Sequence, residues 1–200
     1  MSALDRLMEN VHVYRLWQAP FAEQKFAPVV RHNDLRQVTA ALDLGCGPGT
    51  NAHHFAGARY LGLDWNPAYV DHARRRYRGE FAVADICNEE VTGGRRFDFI
   101  LANSIFHHVP DRDASRILAA LADRLTPDGH VHIIDMVVPA AAGIARYLAT
   151  HDRGEHPRSR ERWEQMLCDA FEPVVIEPYH LTGFGIPLWH MVYFKGRRKS

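Results

Sequence analysis

The chain has 200 residues, 46% of them hydrophobic, and its 24 basic and 24 acidic side chains cancel at neutral pH. That length buries one sizeable core and is short for two, and a balanced charge supplies no long-range field to gather nucleic acid or an anionic membrane. Three cysteines, an odd number with no C-x-x-C pair, fit reduced thiols in a cytoplasm better than a disulfide framework. No apolar run has the length of a membrane span, and the first residues lack the basic-then-apolar layout of a signal peptide.

Leu4, Leu7, Met8, Val11 and Tyr14 recur at helical spacing, which predicts an amphipathic opening helix, with a second helical piece after Pro20 over 21–32. Strand-like apolar runs follow at 40–44, 60–63, 81–84, 97–102 and 131–138. Between them, Asn66 before Pro67 reads as an N-cap with proline at the first helical position, opening a helix over 68–77. Another helix runs from Asp113 through Ile117, Leu118, Leu121 and Leu125 and stops at Pro127-Asp128-Gly129. Strand and helix in steady alternation require right-handed crossovers and a buried parallel sheet, a doubly wound α/β fold. From Pro139 to Pro157 the composition turns to alanine, glycine and histidine with no strand signal; a helix over 160–171 and strands over 174–179 and 189–195 follow. No repeat or linker divides the chain. One domain is expected over 1–200, with an N-terminal helical cap (1–35), a core (40–138) and a final segment (139–200).

The stretch Leu42-Asp43-Leu44-Gly45-Cys46-Gly47-Pro48-Gly49-Thr50 places three glycines at alternate positions behind the first strand. Such a turn needs residues that tolerate unusual backbone angles, and it suits a ligand at a helix start, with Thr50 and Asn51 opening that helix. The spacing is G-x-G-x-G, not the G-x-G-x-x-G that seats a dinucleotide pyrophosphate. Asp64 closes the second strand, where an acid accepts both ribose hydroxyls; alone this suits NAD as well. Asp85 closes the third.

These residues, with Phe97-Asp98-Phe99-Ile100-Leu101-Ala102-Asn103, Phe106-His107-His108-Val109-Pro110-Asp111 and Leu125-Thr126-Pro127-Asp128-Gly129, resemble in order and spacing the class I S-adenosylmethionine-dependent methyltransferases, of the small-molecule, type 11-like kind. The likeness covers about residues 40 to 137. It implies a Rossmann-like sheet of seven strands, mostly parallel with an antiparallel last strand, helices on both faces, and S-adenosylmethionine as cofactor. In that resemblance Gly45, Cys46, Gly47 and Gly49 lie against the methionyl part, and Asp43 fixes the loop or meets the amino group through water. Asp64 holds the ribose, Trp65 covers the adenine face, Asp85 and the Ile86 backbone read the adenine edge, and the Asn103 carbonyl faces the sulfonium. His108 is a further cofactor contact, and Tyr14 or Arg15 reaches the carboxylate.

Transfer from a sulfonium is an in-line displacement, so a base is needed only for an acceptor that must lose a proton. His107 and His108, just past the fourth strand, are the candidates, with His151, beside Asp152, on the segment expected to cover the acceptor. Thirteen histidines raise the question of metal, but none forms an i, i+4 helical pair beside an acid or cysteine, and no metal is expected. The Asn-Pro-Pro-Tyr-like ending of amine methyltransferases acting on bases is absent, since the chain reads Asn103-Ser104-Ile105-Phe106. The expected acceptor is a small molecule, methylated at oxygen or nitrogen, by a monomer or homodimer without nucleic-acid or membrane partners. The alternatives are a fold relative that binds the cofactor without transferring a methyl, and a nicotinamide-dependent oxidoreductase.

Overall fold

The computed structural model describes residues 11–86, 92–152 and 154–199, with 11–19 through the backbone alone. The apolar positions Leu4, Leu7 and Met8, and the side chains of Val11, Tyr14 and Arg15, lie outside the described residues. The first helix, α1 (Val11–His32), is continuous through Pro20 and Pro28, where the sequence predicts a break at Pro20. Docking along the last hairpin outweighs local propensity: Tyr179 donates to the Lys25 carbonyl at 2.8 Å and the Gln24 carboxamide pairs with the Thr182 backbone at 2.9 and 3.1 Å. Near the helix end, Arg31 and His32 meet Glu177.

Strands β1 (Ala40–Leu44), β2 (Arg59–Asp64), β3 (Glu80–Val83), β4 (Phe97–Asn103), β5 (Leu125–Val137), β6 (Glu172–Gly183) and β7 (Ile186–Arg197) form one sheet in the order β3-β2-β1-β4-β5-β7-β6. All neighbouring pairs from β3 to β5 are parallel, and β7 is antiparallel to both β5 and β6. Every residue of β1 is buried, as a central parallel strand requires, which is why it reads as an unbroken apolar run. The chain order reverses between β1 and β4, so the crevice at their carboxyl ends is the switch point where such folds bind ligands.

Helices cover both faces. On one, α3 (Asp111–Asp123) and α5 (Arg160–Ala170) bury Ile117, Leu118, Trp163 and Leu167 against Leu42, Ile100 and Ile133. On the other, α1, α2 (Pro67–Arg76) and α4 (Ile144–Thr150) bury Phe26, Val29, Val70, Ala73 and Ala149 against Ala41, Phe99, Leu101 and Ile134. Neighbouring positions of one strand, such as Ala41 and Leu42, serve opposite cores, the period-2 alternation of a pleated strand. Asn66 caps α2, accepting from the Ala68 amide at 2.9 Å.

Four further elements depart from the sequence expectation. The glycine loop leads into a 3₁₀ turn, Ala52–Phe55, and Asn51 makes no capping bond. Helix α3 ends at Asp123, and Leu125 belongs to β5, paired with Phe97 before a register shift that bulges out residues 126–129 of β5. Within 139–157, which carries no strand signal and for which no helix is named, α4 forms; its one buried residue, Ala149, leaves no stripe to read, and the helix packs beside β7. The last two strands reach each other through Phe184-Gly185 alone, both at positive φ, the turn type whose twist matches a right-handed hairpin.

Candidate active site

Strand β1 delivers Asp43 and the glycine loop to the carboxyl edge of the sheet. Gly45, Gly47 and Gly49 have φ of 69, 54 and 82°, a region costly for residues with a Cβ. A Cβ on Gly45 would also lie 2.4 Å from Ile105 Cδ1, and one on Gly49 would lie 2.9 Å from Ala73 Cβ of α2. The loop is tied to β2: the Gly45 and Cys46 amides donate to the Leu63 carbonyl at 2.8 and 2.9 Å. Asp64, 6% exposed, accepts from the Gly47 amide at 2.8 Å and the Asn66 amide at 2.9 Å. Burial raises the Asp64 pKa, opposed by those two N–H groups. Burial likewise pushes the Cys46 thiol up, with Asp43 and Asp64 adding to it.

Asp43 is completely buried. Its Oδ2 accepts from Tyr60 at 2.6 Å and from Asn51 at 3.3 Å, while Oδ1 is buried with no hydrogen-bond partner among the described residues. Burial pushes this carboxyl up to about 7 against the two donors. An orphaned buried acceptor beside a backbone cradle is a place for a donor group from a ligand.

Along the same edge, Asp64 pairs in register with Val83, which brings Trp65 close to Ala84 and Asp85. Trp65 is 69% exposed, Asp85 is exposed and Ile86 half-buried. Asn103 ends β4, followed by Ser104 at a φ of 56°, whose amide is held by the Ile134 carbonyl at 2.7 Å. The chain thus gathers Asp43, Gly45, Cys46, Gly47, Gly49, Asp64, Trp65, Asp85, Ile86 and Asn103 at the carboxyl ends of β1 to β4. The side chain of Tyr14 lies outside the described residues.

Past β4 a 3₁₀ turn, Phe106–His108, aims His107 inward. His107 is 5% exposed; its Nδ1 donates to Asp135 Oδ1 at 2.7 Å, and its Nε2 lies 3.4 Å from Asp152 Oδ2. Burial disfavours the charged ring, but the two carboxylates outweigh it and raise the pKa to about 9. Asp135 and Asp152 are both held low despite burial, chiefly by His107. Asp135 also accepts from the Phe106 amide at 2.9 Å and the Met136 amide at 2.8 Å. Lys25 of α1 faces the same two carboxylates, its ammonium drawn down to about 8 by burial against their opposing pull. His108 is exposed, its ring 4.1 Å from that of His107.

His151 does not join this group: it closes α4, with Nδ1 on the Tyr147 carbonyl at 2.9 Å and its ring stacked on Tyr147. Its neighbour Asp152 makes the contact instead. Asp135 and Lys25 escaped the sequence reading. The first had a usable signal, since Asp135 interrupts β5 with an acid near its carboxyl end as Asp64 does β2; the second had none. His132 is a core residue, stacked on Phe99 at 3.8 Å and bonded to Tyr193. Among the described residues no group of three or more metal-ligating side chains could hold a metal ion, and no helix is long and apolar enough to cross a membrane.

A doubly wound sheet ending in a reversed strand, with a glycine loop after β1 and acids after β2 and β3, defines the class I methyltransferase architecture. Solved structures share it. N-methyltransferase NodS from Bradyrhizobium japonicum, in complex with S-adenosylhomocysteine, superposes with a TM-score of 0.74 at 19% identity over 99% of this chain and 97% of that one. A SAM-dependent methyltransferase from Methanosarcina mazei gives 0.70 at 18% over 86% and 98%. Residues 41–129, a little under half of the chain, match the methyltransferase domain family.

Among curated relatives, trans-aconitate 2-methyltransferase of Methylobacterium radiotolerans is 39% identical over 94 residues, 44% of this chain and 35% of the relative. Ubiquinone biosynthesis O-methyltransferase of Rhodopseudomonas palustris is 27% identical over 161 residues, 72% and 57%. The chain therefore spans between about a third and somewhat over half the length of these relatives.

Proposed function

We propose that this protein transfers the methyl group of S-adenosylmethionine to a carboxylate oxygen of a small organic acid. The loop of Gly45 to Gly49 and the unpartnered Oδ1 of Asp43 would take the methionyl end and its amino group, Asp64 the ribose, and Trp65, Asp85 and Ile86 the adenine. The cofactor supplies an electrophilic methyl on a sulfonium. The Asn103 carbonyl and His108 would stand at the reacting end.

The observation that carries the acceptor class is the state of His107. Both its ring nitrogens face carboxylates, which favours the charged ring; that ring has no lone pair with which to take a proton, and Asp135 and Asp152, paired to it, are held below the usual carboxylate range. A crevice so equipped orients an acceptor and excludes water; it suits a nucleophile that arrives already ionised. Lys25 adds positive charge facing the same two carboxylates. Several relatives are named for methylating trans-aconitate, a carboxylic acid. The free thiols of Cys46 and Cys168 suit a reducing cytoplasm.

The test is a panel of di- and tricarboxylic acids, phenols, alcohols and amines incubated with labelled cofactor and the full chain. Base-labile methyl esters of acids alone are expected, with a rate nearly flat between pH 6 and 8. Turnover confined to alcohols or amines would overturn the acceptor class. Cofactor binding without turnover of any acceptor would favour a binding protein.

A further inference from the structure

Beyond α4 the chain crosses back over the turn at 106–109 before entering α5. Asp152 reaches the His107 ring, Gly154 lies flat on it, the His156 amide donates to the His107 carbonyl at 2.9 Å, and Arg158 closes the crossing. Gly154 has no alternative there: a Cβ would sit 2.2 Å from His107 Cδ2 and 2.7 Å from the His107 carbonyl oxygen. Arg158, buried over the Trp163 ring at 5.0 Å, donates to the carbonyls of Phe106 at 2.6 Å and Val109 at 2.5 Å and to Asp111 at 2.8 Å. This crossing strap hangs from two cations, one on each side.

We propose that His107 is a positioning residue: its imidazolium staples Asp152 of the strap to Asp135 of β5 and so fixes the wall of the crevice that the acceptor meets. The reasoning is electrostatic. Asp135 and Asp152 converge on one ring from different segments, and without a cation between them two half-buried or buried carboxylates repel and one takes a proton. A neutral imidazole has one N–H and satisfies one of them; the charged ring satisfies both. The groups facing the staple are Asp135 from β5, Asp152 from the strap, His108 from its own turn, and Lys25 of α1, which opposes the same carboxylates. Arg158 is fully engaged with the turn and Asp111 and cannot replace it. The effect on acceptor affinity rests on the methyl-transfer reading; the staple itself does not.

Asp152→Asn in the full chain tests this, since it keeps the side-chain shape and removes the charge. By nitrogen-15 NMR, the His107 titration midpoint should fall by about one unit or more, and exchange of the His156 amide should quicken about tenfold. With an acid acceptor, KM should rise about tenfold while kcat and S-adenosylhomocysteine affinity stay within about twofold. Gly154→Ala should loosen the strap in the same way with the charges intact. An unperturbed midpoint near 6.5 in the wild type, or His156 exchange unchanged in both variants, would overturn the staple. If the midpoint and exchange behave as expected but no acid is turned over, the staple stands and the acceptor reading falls.

Discussion

Asp64→Ala removes the acceptor of two amides that shape the glycine loop, those of Gly47 and Asn66. Leaving a buried donor unsatisfied costs about 1–3 kcal/mol each. Part is returned, because burial strains the ionised carboxylate and raises its pKa, so the net loss is about 2–4 kcal/mol. For a chain of this length that lowers Tm by about 6–12 °C. Scanning calorimetry with and without S-adenosylhomocysteine separates the loop from the ligand: the variant should melt earlier and also lose the upward shift that ligand binding confers. Asp64→Asn should fall between, since the amide keeps one acceptor and turns a donor toward the other N–H. An alanine variant that melts within about 2 °C of the wild type and is still protected by ligand would refute both the structural and the binding role of this carboxylate.

Asp43 reverses the usual carboxylate behaviour. Because its folded pKa is raised to about 7 from 3.8, the stability it contributes is fully present below 3.8 and is lost as pH rises through about 7, by at most about 4 kcal/mol; urea unfolding should show Asp43→Asn gaining on the wild type across that window and not below it. Gly45→Ala combines a left-handed backbone with a 2.4 Å approach to Ile105 Cδ1 and should cost about 2–4 kcal/mol. Adding Ile105→Val removes that atom, so the double variant should be more stable than the sum of the singles predicts.

The sheet was legible because its central strands are buried on both faces and read as contiguous apolar runs; β1 was placed to the residue. The cluster proposed to hold the cofactor was legible as a cluster for a related reason, since its residues sit at strand ends, where a switch from apolar to acid or glycine marks the boundary. The group around His107 was not. His107 and Asp135 stand 28 positions apart, Asp152 follows a helix with no apolar stripe, and Lys25 comes from the N-terminal helix, so nothing local joins them. The chain named His107 as a possible base; the two carboxylates that meet its ring, on which the positioning role proposed above rests, come from other segments.

The amides of Gly45, Cys46, Gly47 and Gly49 all have acceptors within the protein: the Leu63 carbonyl, Asp64 and the Cys46 carbonyl. The loop has the outline of a phosphate nest with its donors already spent. A pyrophosphate arriving here would meet the Asp64 carboxylate and would have to break these bonds to find N–H groups of its own, each a loss of about 1 kcal/mol or more. A dinucleotide or nucleoside triphosphate would therefore have to break the bonds that give the loop its shape before its phosphates found a donor here.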